Sequence, residues 1–97
     1  MAEIKFTASF QADLDDIATH ISKDSARYAA RFVETVYENI EKLANFPKLG
    51  RIVPEYDNEN LRELILGNYR IVYQSVSLNE LVVLRIIHSS RLFDTGL

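Results

Sequence analysis

The stretch LRELILGNYRIVYQSVSLNELVVLRIIH, residues 61–88, decides the fold. Leu61 to Leu66, Tyr69 to Val76 and Leu81 to His88 are rich in β-branched, aromatic and aliphatic residues, and Gly67-Asn68 and Ser77-Leu78-Asn79-Glu80 separate them. Runs of this composition bounded by turn residues read as strands, and short separators make consecutive hairpins, a β-meander. The last run is apolar on both alternations, with Leu81, Val83 and Ile87 set against Val82, Leu84 and Ile86. A strand with one wet face would alternate, so this one belongs inside the sheet with both faces covered.

Upstream, Asn45-Phe46-Pro47-Lys48-Leu49-Gly50-Arg51 and then Pro54 and Asp57-Asn58 form a long connection. Pro47 biases its predecessor out of the helical region and Gly50 suits a tight bend. Phe46 is expected to anchor the end of the preceding helix in the core, with Lys48 in solvent. Before the loop, Ala29, Phe32, Val33, Val36, Ile40 and Leu43 recur at helical spacing, as do Phe10, Leu14, Ile17, Ala18 and Ile21. Thr7 or Ser9 suits the first cap, and Ser22-Lys23-Asp24-Ser25 is a polar turn between two antiparallel helices. Ala2 to Phe6 alternates Ile4 and Phe6 with Glu3 and Lys5, a short strand. The expected fold is α+β, in the order β-α-α-β-β-β: an antiparallel sheet of about four strands with an αα-hairpin packed on it. At 97 residues the chain suits one domain, residues 1–97.

Charge and composition narrow the function. A net charge of −3 argues against sequence-independent grip on nucleic acid, which depends on cations displacing phosphate counterions. Residues 1–46 hold five Lys or Arg against eight acids, whereas residues 47–97 hold six against six, so only the second half has room for a local basic patch. Without Cys there is no disulfide, thiolate metal site or thiol nucleophile. No long apolar stretch suggests a membrane span or a signal peptide, and the expected location is the cytoplasm. The three glycines stand far apart, so there is no phosphate-binding Gly-rich loop.

Two constellations are weak. Asp13, Asp16 and His20 share a helix face, but a solvated face away from the apolar stripe would be polar anyway, and no metal site is assigned. His88-Ser89-Ser90 lacks the G-x-S-x-G turn that presents a hydrolase nucleophile. Stronger is the set Arg62, Arg70, Arg85, His88 and Arg91, with Arg51 and Glu55 in the preceding loop. Arginine in an apolar strand needs a partner or solvent. Arg62 or Arg70 with Glu63 or Glu55 would make structural ion pairs, yet few acids lie near in sequence, so a concave surface for an anionic ligand is the competing expectation.

The order Phe46-Pro47-x-x-Gly50-Arg51, Val53-Pro54-Glu55, Leu61-Arg62-Glu63-Leu64, Tyr69-Arg70-Ile71-Val72-Tyr73 and Ile87-His88-x-x-Arg91 resembles the RelE/ParE superfamily of bacterial toxins. Ala12-Asp13-Leu14-Asp15-Asp16-Ile17 in the first helix fits as well, and the resemblance runs from Phe6 to Arg91. It implies the toxin of a type II toxin–antitoxin pair, with an adjacently encoded antitoxin as partner and no cofactor. An antitoxin segment with apolar anchors and acidic residues would cover the helix seam and the Arg-rich strands. Two activities divide the superfamily. ParE-like members poison DNA gyrase without established catalysis, whereas RelE-like members cut mRNA on the ribosome through attack of a ribose 2′-hydroxyl on the adjacent phosphate. If RelE-like, the resemblance implies Arg70 against the phosphate, His88 as acid–base group and Glu55 as base; in either branch Arg62, Arg91 and Arg51 are expected to bind phosphate or target. The acidic composition, Glu63 where RelE-like nucleases often carry lysine, and Ser89 after the histidine favour the ParE-like branch. A purely protein-binding module is the third alternative.

Overall fold

The computed structural model describes residues 1–90 and has the expected α+β fold. Its elements are β1 (Glu3–Phe6), α1 (Ala8–Ser22), α2 (Ala26–Glu41), a 3₁₀ turn (Lys42–Ala44), β2 (Arg51–Ile52), β3 (Leu61–Leu66), β4 (Tyr69–Ser77) and β5 (Glu80–His88). Arg91 lies outside the described residues.

Both helices begin where the sequence offers a hydroxyl. Thr7 Oγ1 accepts the Phe10 amide and Ser25 Oγ accepts the Tyr28 amide, each at 3.0 Å, satisfying amides that have no partner within the helix. Thr7 also donates to the Leu84 carbonyl at 2.7 Å, so one side chain starts α1 and ties it to β5.

The sheet has five strands in the order β1-β5-β4-β3-β2 and is mixed. Antiparallel pairing joins β2 through β5, as the meander requires, but β1 runs parallel to β5. A strand buried on both sides needs two neighbours; β4 supplies one and β1 the other, in a direction that alternation alone does not specify. The two-residue β2 has too short a pattern to register in the sequence. At the β3–β4 hairpin Gly67 has φ 56° and no non-glycine residue among those described has positive φ, which fits a type II′ turn.

Two apolar clusters cover the two sheet faces. Beneath the helices, Phe10, Leu14, Val36, Ile40 and Leu43 pack on Ile71, Tyr73, Leu81, Val83 and Ile86. On the other face the loop after β2 lays Val53 over Leu61, Val72 and Ile87, with Leu84 and Tyr56 alongside. The double alternation of β5 has a second cause as well. Val72 lies opposite Arg85 and Tyr73 opposite Val83, so Leu84 is an extra residue. This bulge reverses the side-chain parity, and the helix-side positions change from Leu81 and Val83 to Ile86.

Phe46 corrects the expected core. It is 64% exposed, and the fully buried Leu43 anchors the end of α2 instead. The 3₁₀ turn advances the chain by about a third of a turn per residue, so the helical stripe ends at Leu43 and Phe46 falls outside it.

Candidate functional site

Arg51 on β2 lies directly opposite Glu63 on β3, and Arg70 on β4 is diagonal to Glu63, since its own partner is Ile65. Diagonal neighbours are within reach of long side chains, so the three form a row on the face away from the helices. Glu63 Oε2 accepts from Arg51 Nε at 2.7 Å, and its Oε1 accepts from Arg70 Nε at 2.6 Å. Above them Glu55 takes both terminal nitrogens of Arg70, each bond 2.7 Å. This fork is the strongest form of Arg–carboxylate pairing.

The row is neutral and largely dry. The Glu63 side chain is fully buried and that of Arg70 is 6% exposed, while Arg51 reaches solvent. The fork from Arg70 holds the Glu55 carboxyl below its ordinary range, against an opposing effect of burial. Reciprocally, Glu55 and then Glu63 hold the Arg70 guanidinium more firmly protonated than usual, against the same opposing burial.

The remaining strand arginines are also engaged. Arg85 Nε and Nη2 donate to Asp13 of α1 at 2.6 and 2.9 Å, and the Ile86 amide donates to Asp13 Oδ2 at 3.2 Å. Hydrogen bonding to Asp13 raises the pKa of Arg85. The acid that pairs with Arg85 therefore arrives from a helix 72 residues away in sequence. Asp13 belongs to this bolt, and among the described residues no three His, Asp or Glu side chains are placed to hold a metal ion.

Arg62 uses Nη1 and Nε on the carbonyls of Gly50 and Glu59, at 2.9 and 3.0 Å. The same loop is pinned by Tyr73, fully buried, whose hydroxyl donates to Pro47 O at 2.7 Å and accepts from Gly50 N at 2.9 Å. Burial pushes the Tyr73 hydroxyl pKa up. Gly50 is needed here for closeness: a Cβ would sit 2.6 Å from Glu63 O and 2.8 Å from the Tyr73 ring. The chain does bend at Gly50, but its φ is not positive, so closeness and not left-handed backbone makes the glycine necessary.

His88 stands apart from Arg70. It lies opposite Tyr69, whose ring packs against Phe32 of α2 and, at 5.6 Å between centroids, against His88 itself. Successive side chains of a strand point to opposite faces, so His88 and Tyr69 are on the helix side and Arg70 on the other. Exposed His88 Nδ1 accepts the Ser90 amide at 3.2 Å and lies 2.7 Å from Ser90 Oγ. Thus Arg70, Glu55 and Arg51 share one cluster, Arg62 braces the loop beside it, and His88 is elsewhere.

A helical hairpin on a five-stranded mixed sheet, closed by an Arg-rich meander, is the architecture of the RelE/ParE class of small toxins. The family described as the ParE toxin of type II toxin–antitoxin system matches residues 4–93. This chain belongs to that family. A chain of the chromosomal ParDE toxin–antitoxin system from P. aeruginosa is 25% identical, with a TM-score of 0.73, covering 91% of this chain and 96% of that one. A chain of a RelBE toxin–antitoxin complex from Mycobacterium tuberculosis shares the fold at 19% identity and a TM-score of 0.58, over 90% of this chain and 96% of that one. A comparison with curated protein sequences gives no match.

Proposed function

We propose that this toxin inhibits growth in the cytoplasm by binding DNA gyrase and not by cutting RNA. The observation that carries the reading is the state of Arg70. To neutralise a scissile phosphate it would have to leave the Glu55 fork, and its Glu63 partner is fully buried. Breaking that pair leaves buried Glu63 with solvent-reaching Arg51 as its one remaining ion-pair partner among the described residues, in a poorly solvated place. Glu55, held ionised below its ordinary range, is a weak base, because efficient general bases titrate near the working pH. The acid–base histidine that cleavage would require is on the opposite sheet face. The 25% identity with the P. aeruginosa ParDE chain and the net charge of −3 support the same reading.

The partner that restrains the toxin is an adjacently encoded antitoxin. A groove of about 880 Å³ between the helical turn and the β3–β4 turn suits one of its segments; Phe32, Leu66, Tyr69, Asp24, Arg27 and Arg31 are among its lining, with Arg31 paired to Glu34 and Glu38. An amphipathic segment with acidic flanks matches that combination.

The test is a gyrase supercoiling assay run beside primer extension on translated messages. We expect inhibited supercoiling or trapped cleaved DNA, with no new message ends at toxic doses. Ribosome-dependent cleavage by the purified protein, lost in Arg70→Ala with the fold retained, would overturn the proposal.

A further inference from the structure

At the end of the sheet opposite the large groove, the 46–50 loop combines rigid backbone with exposed apolar side chains. Tyr73 fixes Pro47 and Gly50, and Arg62 fixes Gly50 a second time. Nevertheless Phe46 is 64% exposed, Leu49 51%, and Leu78 in the neighbouring β4–β5 turn 96%. Together with Lys48 and Arg62 they line a recess of about 500 Å³. Folding does not explain these side chains, since Leu43 and not Phe46 fills the core.

Charge separates this recess from the rest of the strand half. Arg51, Arg70 and Arg85 each pair with a carboxylate, whereas Lys48 and Arg62 have none in ion-pair range among the described residues. Against these two cations the lining offers a single carboxylate, Glu59. A pinned loop presenting apolar anchors beside unneutralised cations needs little ordering on binding, which favours recognition of a preformed surface.

We infer that the Phe46–Leu49–Leu78 surface is where the toxin docks on its protein target, taking an acidic segment of that target with an apolar anchor. The inference rests on the reading of the chain as a toxin acting on a protein. The larger, aromatic-walled groove at the other end suits a lasting partner, because permanent interfaces are larger than transient ones. The smaller recess, with Lys48 and Arg62 beside its apolar side chains, is left for the target.

The experiment compares the full-length wild type with Lys48→Glu/Leu78→Asp and with Leu49→Asp. All three changed residues are exposed and outside the helices and strands, and thermal melts report folding. Growth arrest, supercoiling inhibition and capture of the product of the neighbouring gene are measured in parallel. We expect both variants to melt like wild type and to capture that product equally, while the dose needed for arrest and inhibition rises about tenfold or more, as for loss of an interface anchor. Unchanged arrest and inhibition in folded variants would overturn the surface and leave the gyrase reading intact. Lost capture would overturn it too, by assigning the surface to the antitoxin. If wild type arrests growth without touching gyrase and both variants lose arrest alone, the surface stands and the gyrase reading falls.

Discussion

Arg85 and Arg70 are both strand arginines held by a carboxylate fork, yet they join different parts of the molecule. Arg85 binds Asp13, so it bolts α1 to β5 across 72 residues of sequence. Arg70 binds Glu63 on the next strand and Glu55 in the covering loop, so it bolts that loop to the sheet. Their burial differs as well: the Arg85 and Asp13 side chains are 21% and 17% exposed, those of Arg70 and Glu63 6% and 0%. The same chemistry is thus partly solvated in one place and nearly dry in the other. The dry pair should be the more costly to break, because water cannot reach Glu63, which would keep only its bond to Arg51.

The largest expected effect follows directly. Arg70→Ala should lose about 3–5 kcal/mol in urea denaturation, as removal of one partner of a buried ion pair does. Arg70→Lys should recover little, since an ammonium cannot reproduce the planar fork to Glu55. A loss below about 1 kcal/mol, the range of exposed pairs, would erase the distinction between the two bolts.

Arg85→Ala should cost less, about 1.5–3 kcal/mol, the range for hydrogen bonds to charged groups. Asp13→Ala should match or exceed it, because Asp13 also accepts the Ile86 amide. A double-mutant cycle between Asp13 and Arg85 isolates the pair, and a coupling near zero would mean that the helix is held by apolar packing alone.

These two bolts also mark where the sequence was legible. The meander, both helices and their caps could be read because each is written in local periodicity and punctuation. The pairing of Arg70 with Glu55 or Glu63 is legible, since strand neighbours and the adjoining loop are close in sequence. Nothing in the sequence matches Asp13 to Arg85, because helix-to-sheet distance is set by tertiary packing and leaves no spacing signal. The same limit hid the parallel direction of β1. It also concealed that Gly50 is required by the approach of Tyr73 and the Glu63 backbone. The bulge at Leu84 did leave a signal, a break in alternation, but full burial of β5 explains that pattern equally well.

A smaller effect comes from pH. Glu55 has a folded-state pKa below its ordinary value near 4.5, because it is fork-bonded to Arg70. A depressed carboxyl contributes stability that is present above its unfolded pKa and lost as pH falls through the folded one. Urea stability of wild type should therefore decline progressively below about pH 5, with Glu55→Gln showing a flatter acid limb. Arg70 remains charged throughout, so the decline is assigned to the carboxylate side of the fork. Identical acid limbs in the two proteins would show that Glu55 contributes nothing to the loop bolt in solution.

The smallest expected effect is at His88, and it distinguishes the two toxin activities most directly. The side chain is exposed, its hydrogen-bonding partner is Ser90 two residues away, and its ring meets Tyr69 edge to face. Replacement at such a surface position should change stability by less than about 0.5 kcal/mol. If the toxin acts by binding gyrase, His88→Ala should also leave its potency within about twofold, since a surface residue outside the binding patch contributes little. An acid–base histidine would behave otherwise, because its loss typically slows the reaction about a hundred- to ten-thousand-fold. Alternation along β4 sends Tyr69 and its partner His88 to one sheet face and Arg70 to the other. A hundredfold loss of activity in a His88→Ala protein that melts like wild type would require a second arrangement of this meander, and with it the RNA-cleaving activity.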